Sequence, residues 1–162
     1  MWVYLNGEIR LKDDISISPD DRGFLFADGA YEVVLSHNGR LFRAAEHLER
    51  LRRSLRELKI REPDLITLRE VCRQLIRQNE LTEGEATIYI QITRGIAPRK
   101  HPFPPLDTAP TVYVSASPFP PPEKEWANGV KVILVPDIRW TRCDIKSISL
   151  LPNVLASQQA ME

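Results

Sequence analysis

The N-terminal region alternates short apolar runs with turn signals, which predicts antiparallel β-structure. Asn-Gly between such runs is a strong short-range hairpin signal, and it occurs at Asn6-Gly7 and again at Asn38-Gly39. The two predicted hairpins pair residues 2–5 with 8–11 and residues 31–36 with 40–42. Between them, residues 20–29 place Asp and Gly turn points around an apolar centre, so we expect a buried loop there and not a helix.

From about Ala44 the apolar residues recur with the period of a helix. Pro63 interrupts this pattern, and a second helix follows with Asp64 or Thr67 as its N-cap. Gly84 ends the helical region. The predicted buried stripes are Leu48, Leu51, Leu55 and Leu58 in the first helix and Leu65, Leu68, Cys72, Leu75 and Ile76 in the second.

Two further β-rich runs, residues 86–93 and 111–117, are predicted to join the same sheet. Nine of the 13 prolines then fall between Pro98 and Pro122. Residues 118–122 form a semi-rigid spacer that neither a helix nor a central strand would accept.

That spacer indicates a domain boundary. We expect an N-terminal α/β domain over residues 1–117, a proline-rich linker over 118–122, and the start of a second domain over 123–162. Within the second domain, residues 130–135 are apolar on both faces, as in a strand that is covered on both sides. A helical pattern follows over residues 150–160.

Composition restricts the possible functions. The 22 basic and 22 acidic residues balance, so no global charge favours nucleic acid or an anionic membrane surface. The apolar runs are too short to cross a bilayer, and the N-terminus does not resemble a signal peptide, which predicts a cytoplasmic protein. Neither Cys72 nor Cys143 belongs to a metal-ligand spacing, so no metal site is predicted. The glycine motifs of common hydrolases, nucleotidases and dinucleotide-binding domains do not occur.

Lys146 stands among arginines just past the apolar run. A lysine held near other cations and away from water can become a nucleophilic amine, which an arginine cannot, although most lysines are simply solvated. In the loop after the strand at 86–93, Arg99 and His101 together could bind a carboxylate, or the loop could be a solvated basic surface.

Other candidates have equally ordinary alternatives. Arg50 shares its helix with three more arginines, and periodicity does not say which of them, if any, binds an anion. Tyr31 could be a positioned phenol or a half-buried strand tyrosine. His47 could be a general base, but we favour a packed side chain.

Five segments, in this order, resemble those of the fold type IV pyridoxal-phosphate enzymes, and most closely the bacterial D-amino-acid aminotransferases. They are residues 21–23 (Asp-Arg-Gly), 26–32 (Phe-Ala-Asp-Gly-Ala-Tyr-Glu), 46–51 (Glu-His-Leu-Glu-Arg-Leu), 93–95 with 98–101 (Thr-Arg-Gly and Pro-Arg-Lys-His), and 137–147, which contains Lys146. The last segment is highly specific, and the ordered set is more specific still.

The resemblance implies an α+β, two-domain fold with an N-terminal antiparallel sheet, two helices and a β-rich C-terminal domain that is incomplete here. It also implies a role for each matched residue. Lys146 would hold pyridoxal 5'-phosphate as a Schiff base and move the substrate proton, and Arg50 would bind the cofactor phosphate. Tyr31, Arg99 and His101 would bind the substrate carboxylate, the last two from the partner subunit of a homodimer. Glu32, Arg139 and Asp144 would support the lysine and its loop.

The implied reaction transfers an amino group between a D-amino acid such as D-alanine and a 2-oxo acid such as 2-oxoglutarate. Alternatives of the same fold are a branched-chain aminotransferase and an aminodeoxychorismate lyase. The family also has a longer second domain, which carries a partner for the pyridine nitrogen and the rest of the phosphate site. We therefore expect either a part of a longer protein or a truncated chain that is inactive alone.

Overall fold

The computed structural model describes residues 1–162 and confirms the α+β class, with one six-stranded antiparallel sheet at its centre. The strands are β1 (Trp2–Leu5), β2 (Glu8–Leu11), β3 (Gly29–His37), β4 (Arg40–Leu41), β5 (Glu85–Thr93) and β6 (Thr111–Pro118). The helices are α1 (Arg22–Phe26), α2 (Ala44–Leu58), α3 (Leu65–Gln78), α4 (Glu123–Asn128) and α5 (Leu151–Met161), and a 3-10 turn spans Lys12–Asp14. The sheet order is β2-β1-β6-β5-β3-β4, and both predicted hairpins are confirmed.

One face of the sheet packs against α2 and α3 and forms the main core. Alternate residues of β3, β5 and β6 point to this face because side chains alternate along a strand. The predicted leucine stripes of both helices are buried against them, with Leu58 only partly covered, and each fully buried side chain contributes about 1.5–3 kcal/mol. Asp64 caps α3, since its Oδ1 accepts hydrogen bonds from the backbone N–H groups of Ile66 and Thr67.

The opposite face of the sheet is partly exposed to solvent and carries a row of three half-buried tyrosines. Tyr31, Tyr89 and Tyr113 stand on neighbouring strands, with ring centroids 5.8 Å apart in the first pair and 6.5 Å in the second. Tyr31 therefore points away from the helices, while the next residue, Glu32, points into the helix-covered core.

The prediction of a loop over residues 20–29 was wrong in part, because the short helix α1 forms there. The turn chemistry that suggested a loop acts instead at the two helix ends. Asp21 is the N-cap and accepts from the backbone N–H of Gly23, and Ala27 ends the helix in the left-handed conformation.

The strand expected over residues 130–135 was also wrong. These residues form no regular secondary structure and pair with no other strand, and Leu134 is 100% exposed. A strand pattern becomes a strand only when another backbone supplies its hydrogen bonds, and residues 119–162 provide none. The predicted C-terminal helix is confirmed as α5. Of residues 119–162, only Ile145 and Ser147 are buried.

Candidate active site

The segment that carries Lys146 lies against the first residues of β3, on the edge that the short strand β4 leaves uncovered, because β4 pairs only with Ser36 and His37. Ser147 forms a β-bridge with Ala30, and the carbonyl of Lys146 accepts a 3.0 Å hydrogen bond from the backbone N–H of Tyr31. On the other side, the backbone N–H of Lys146 donates to Ser54 Oγ of α2 at 3.2 Å. Lys146 is thus fixed between the central sheet and a core helix.

The side chain of Lys146 is half-buried and lies over an aromatic ring, so it is not a freely solvated surface lysine. Its Nζ is 4.1 Å from the centroid of the Tyr31 ring, within the range of a cation–π contact. Lys146, Tyr31 and Arg50 all line one cavity of about 380 Å³. The structure therefore brings together three of the five site residues that the sequence predicted.

Arg50 is oriented by a carboxylate beneath it. Its Nε and Nη2 donate to the two oxygens of Glu32 at 2.5 and 2.7 Å, and His47 Nδ1 lies 2.9 Å from Glu32 Oε2. Glu32 is fully buried, whereas the Arg50 side chain is 45% exposed. The pair uses one edge of the guanidinium and leaves Arg50 Nη1 available to another acceptor.

These contacts set the charge of the cluster. Burial alone would raise the pKa of the Glu32 carboxyl, but the hydrogen bonds and charges of Arg50 and His47 outweigh burial and lower it. The hydrogen bond to Glu32 raises the pKa of Arg50 in turn. Glu32 therefore binds Arg50 and His47. It makes no hydrogen bond to Lys146, the residue that the resemblance implied it would support.

The loop preceding Lys146 is cross-linked to α2 by charged groups. Arg142 donates to Asp144 at 2.9 Å and to Glu57 at 2.8 Å, and Arg53 donates to the carbonyl of Asp144 at 2.8 Å. Hydrogen bonding to Arg142 lowers the pKa of Asp144. Arg139, which lines the cavity, is paired with Asp137. A supporting role for Arg139 and Asp144 stays a prediction.

Arg99 and His101 lie elsewhere. Both are exposed on the loop after β5, and neither lines the cavity that contains Lys146. Their side chains rest instead near the ring of Phe26, with His101 at 5.5 Å between ring centroids and Arg99 Cζ at 5.4 Å from the Phe26 centroid. Within one chain the predicted carboxylate-binding residues are therefore divided between two places.

Two features of this region were not predicted from the sequence. Glu32 was matched only as a support for the lysine. Its pairing with Arg50 and His47 could have been anticipated, because it stands in the core-facing register of β3 between Ala30 and Val34, where an acidic residue requires a partner. The buried pair of Arg22 with Asp28 had no comparable signal beyond the matched segments. We find no group of three or more His, Cys, Asp or Glu residues arranged to hold a metal ion, and no helix long and apolar enough to span a membrane.

The fold and site now define a class. Lys146 and Arg50 line one cavity beside the central sheet, and residues 29–162 of the chain match the model of amino-transferase class IV. The chain belongs to that family. Over 161 residues it is 42% identical to a D-alanine aminotransferase of Staphylococcus epidermidis, an alignment that covers 99% of this chain and 56% of the relative. The chain thus spans a little over half the length of such curated relatives.

Solved structures give the same classification. The apo form of a hypothetical aminotransferase from Mycobacterium tuberculosis matches with a TM-score of 0.80 and 27% identity, covering 99% of this chain and 58% of that one. Its pyridoxal-phosphate-bound form matches with a TM-score of 0.61 and 31% identity over 74% of this chain and 40% of that one. A 4-amino-4-deoxychorismate lyase from Pseudomonas aeruginosa matches with a TM-score of 0.73 and 27% identity, covering 97% and 56%.

Proposed function

We propose that this chain carries the reactive lysine of a pyridoxal-phosphate-dependent aminotransferase that acts on D-amino acids and 2-oxo acids. The observation that carries the proposal is the half-buried amine of Lys146, held over Tyr31 in a cavity that Arg50 also lines. The family and the names of relatives about 40% identical to the chain support the D-amino-acid assignment.

The residues present fit pyridoxal 5'-phosphate. The cavity, of about 380 Å³, is within the range of small-molecule sites. When bound, the cofactor supplies an aldehyde for amines and a ring that accepts electrons from the substrate's α-carbon. Lys146 Nζ would be the amine for the aldehyde and, once free, the base that takes the α-proton and returns it. Arg50 Nη1, which Glu32 leaves free, would donate to the phosphate.

The substrate carboxylate would be bound by the Tyr31 phenol together with Arg99 and His101. Because the last two are exposed and lie outside the Lys146 cavity, they would serve the cavity of a second copy. We therefore include a homodimer in the proposal, with a cytoplasmic location and no nucleic-acid or membrane partner. A branched-chain aminotransferase or an aminodeoxychorismate lyase would differ in the enantiomer used and in the need for an amino acceptor.

The test is chemical fixation of the cofactor. The chain is incubated with pyridoxal 5'-phosphate, reduced with borohydride and digested, and the modified lysine is identified by mass spectrometry. We expect the cofactor mass on Lys146, none after Lys146→Ala, and wild-type labelling in the control Lys131→Ala, because Lys131 lies in the exposed 130–135 segment. In a protein of the full length of the relatives that contains this chain, D-alanine with 2-oxoglutarate should yield pyruvate, and L-alanine should not.

Equal modification of exposed lysines, or modification that is unchanged by Lys146→Ala, would refute the proposed role of this residue. Labelling of Lys146 with turnover of the L-enantiomer alone would retain the cofactor and replace D-amino acids as the substrate class.

A further inference from the structure

The loop that carries Arg99 and His101 is anchored at its base by a buried charged cluster. Asp28 Oδ2 accepts hydrogen bonds from Arg22 Nε at 2.8 Å and Arg94 Nε at 2.7 Å, while Asp28 Oδ1 accepts from Arg94 Nη2 at 2.9 Å. The side chains are only 4% (Arg22), 8% (Arg94) and 11% (Asp28) exposed. One carboxylate thus holds two guanidinium groups that are almost removed from water.

Both arginines also donate hydrogen bonds to backbone carbonyls. Arg22 Nη1 donates to the carbonyl of Lys100 at 2.6 Å, and Arg22 Nη2 lies 3.4 Å from the carbonyl of His101. Arg94 donates to the carbonyl of Leu58, the last residue of α2, and to that of Lys59, its C-cap. The cluster therefore fixes the backbone that carries Arg99 and His101 relative to the C-terminus of α2.

Phe26 supplies a second anchor, for the side chains themselves. Its ring lies 5.5 Å from the His101 ring between centroids, and its centroid is 5.4 Å from Arg99 Cζ and 4.8 Å from Arg22 Cζ. Cations are attracted to an aromatic face, so one ring can restrain several basic side chains without neutralising them. Arg99 and His101 stay exposed and keep donors for another ligand.

We propose that Asp28 and Phe26 are positioning residues that orient Arg99 and His101 for a carboxylate. The ligand in this inference rests on the proposed function, whereas the restraint itself does not. Asp28 also immediately precedes β3, three residues before Tyr31, so the same carboxylate connects the loop to the strand that carries the Tyr31 phenol. A carboxylate requires its donors at a fixed separation, and misplacement by about 1 Å is costly.

The first experiment measures the restraint in the 162-residue chain without cofactor. Asp28→Asn keeps the side-chain shape and removes its charge, and Phe26→Leu keeps an apolar side chain and removes the ring. Glu70→Gln is the matched control, because Glu70 also accepts from two arginines, Arg73 and Arg77, but on an exposed face of α3. Proton NMR follows the ring signals of the three histidines. The signals that disappear in His101→Gln are those of His101. Nitrogen-15 relaxation follows the backbone order parameters of residues 99–101.

We expect Phe26→Leu to shift the His101 ring signals. Asp28→Asn should lower the backbone order parameters of residues 99–101 from about 0.85 toward about 0.6, because the Arg22 guanidinium that donates to the carbonyls of Lys100 and His101 loses its own anchor. Glu70→Gln should leave both unchanged. Unchanged His101 signals in Phe26→Leu together with unchanged order parameters in Asp28→Asn overturn the inference. If Asp28→Asn does not fold, the Phe26→Leu spectrum decides alone.

The second experiment uses a cofactor-loaded protein of the full length of the relatives that contains this chain, because the chain itself spans a little over half of them. Both variants should raise KM for the D-amino acid about tenfold and change kcat much less, because a misplaced carboxylate site weakens ground-state and transition-state binding alike. The visible spectrum of the bound cofactor should not change. A wild-type protein without turnover refutes the proposed function and leaves the NMR result to decide the restraint. Turnover with an unchanged KM in both variants overturns the positioning role.

Discussion

At the scale of single residues, Glu32 is a fully buried carboxylate whose only hydrogen-bonding partners are Arg50 and His47. Replacing it with glutamine leaves the guanidinium without its counter-charge, so we expect Glu32→Gln to lower the free energy of unfolding by about 2–3 kcal/mol at pH 7. This is below the loss for a fully buried pair because Arg50 is 45% exposed. Urea unfolding measures it, and Glu46→Gln is the control, since Glu46 pairs with Arg43 in solvent and its loss should have no measurable effect.

The same pair gives the protein a defined acid sensitivity. The pKa of Glu32 is lowered on folding from an ordinary value of 4.5. Its contribution to stability is therefore complete above about pH 4.5 and is lost as the pH falls through the lower folded value. The difference in stability between wild type and Glu32→Gln should shrink below pH 4.5, and a difference that stays constant to pH 3 would contradict the lowered pKa.

The two cysteine thiols differ in burial and therefore in reactivity. Burial raises the pKa of the Cys72 thiol to about 12, while Cys143 is exposed in the lysine loop. Because the thiolate is the reactive form, we expect one fast equivalent of a disulfide reagent per folded chain and two in denaturant. Cys143→Ser should abolish the fast reaction, and Cys72→Ser should not alter it. Two fast equivalents in the native chain would mean that the α3 packing around Cys72 opens readily.

At the scale of elements, the backbone of Lys146 itself is bonded to α2 through one side chain, that of Ser54. Ser54 is fully buried in α2 and accepts the hydrogen bond of the Lys146 backbone N–H. Ser54→Ala should leave that N–H without its partner and accelerate its hydrogen exchange about fivefold, corresponding to about 1 kcal/mol. Ser115→Ala, on the opposite face of the sheet, should leave the Lys146 amide unchanged. Equal exchange rates in the wild type and both variants would show that the segment is held without Ser54, by the β-bridge to Ala30 and the contacts of Arg53 and Glu57.

Which elements the sequence could predict follows from where their stabilising contacts lie. The two hairpins and the helices α2 and α3 were predicted because Asn-Gly turns, the Asp64 cap and the leucine stripes are local signals. The segment 130–135 has an equally clear strand pattern, but its outcome depended on a partner elsewhere in the chain. Helix α1 was missed because Asp21 and Ala27 suit a turn and a helix end equally well.

The residues of the candidate site could be predicted from the sequence, but their arrangement in space could not. The residues themselves made Lys146, Arg50 and Tyr31 candidates with ordinary alternatives, and only the family resemblance chose between the alternatives, since periodicity did not separate Arg50 from the other arginines of α2. Their meeting in one cavity follows from the bridge between Ser147 and Ala30, which joins residues more than 100 positions apart. No pattern in a single sequence reports such a pairing, and the same holds for the Asp28 cluster.

At the scale of the whole molecule, the core and the exposed apolar surface lie in different parts of the chain. The main core is formed entirely by residues 30–116, whereas residues 126–140 and α5 expose many large apolar side chains. Residues 130–135 combine high β-propensity, one charge and an unpaired backbone, which is the signature of an aggregation-prone segment. We therefore expect the 162-residue chain to bind the apolar dye ANS and to self-associate with increasing concentration.

A charge at the centre of this segment tests that expectation without disturbing the core. Leu134 is 100% exposed, so Leu134→Glu removes no packing and should weaken dye binding and shift sedimentation toward the monomer at an unchanged melting temperature. Leu106→Glu is the matched control, because Leu106 is 90% exposed in the separate proline-rich loop after β5. If both variants reduce association equally, the cause is net charge and not the segment. If only Leu106→Glu does so, the associating surface is the loop, and the exposed apolar strand sequence is not what drives self-association.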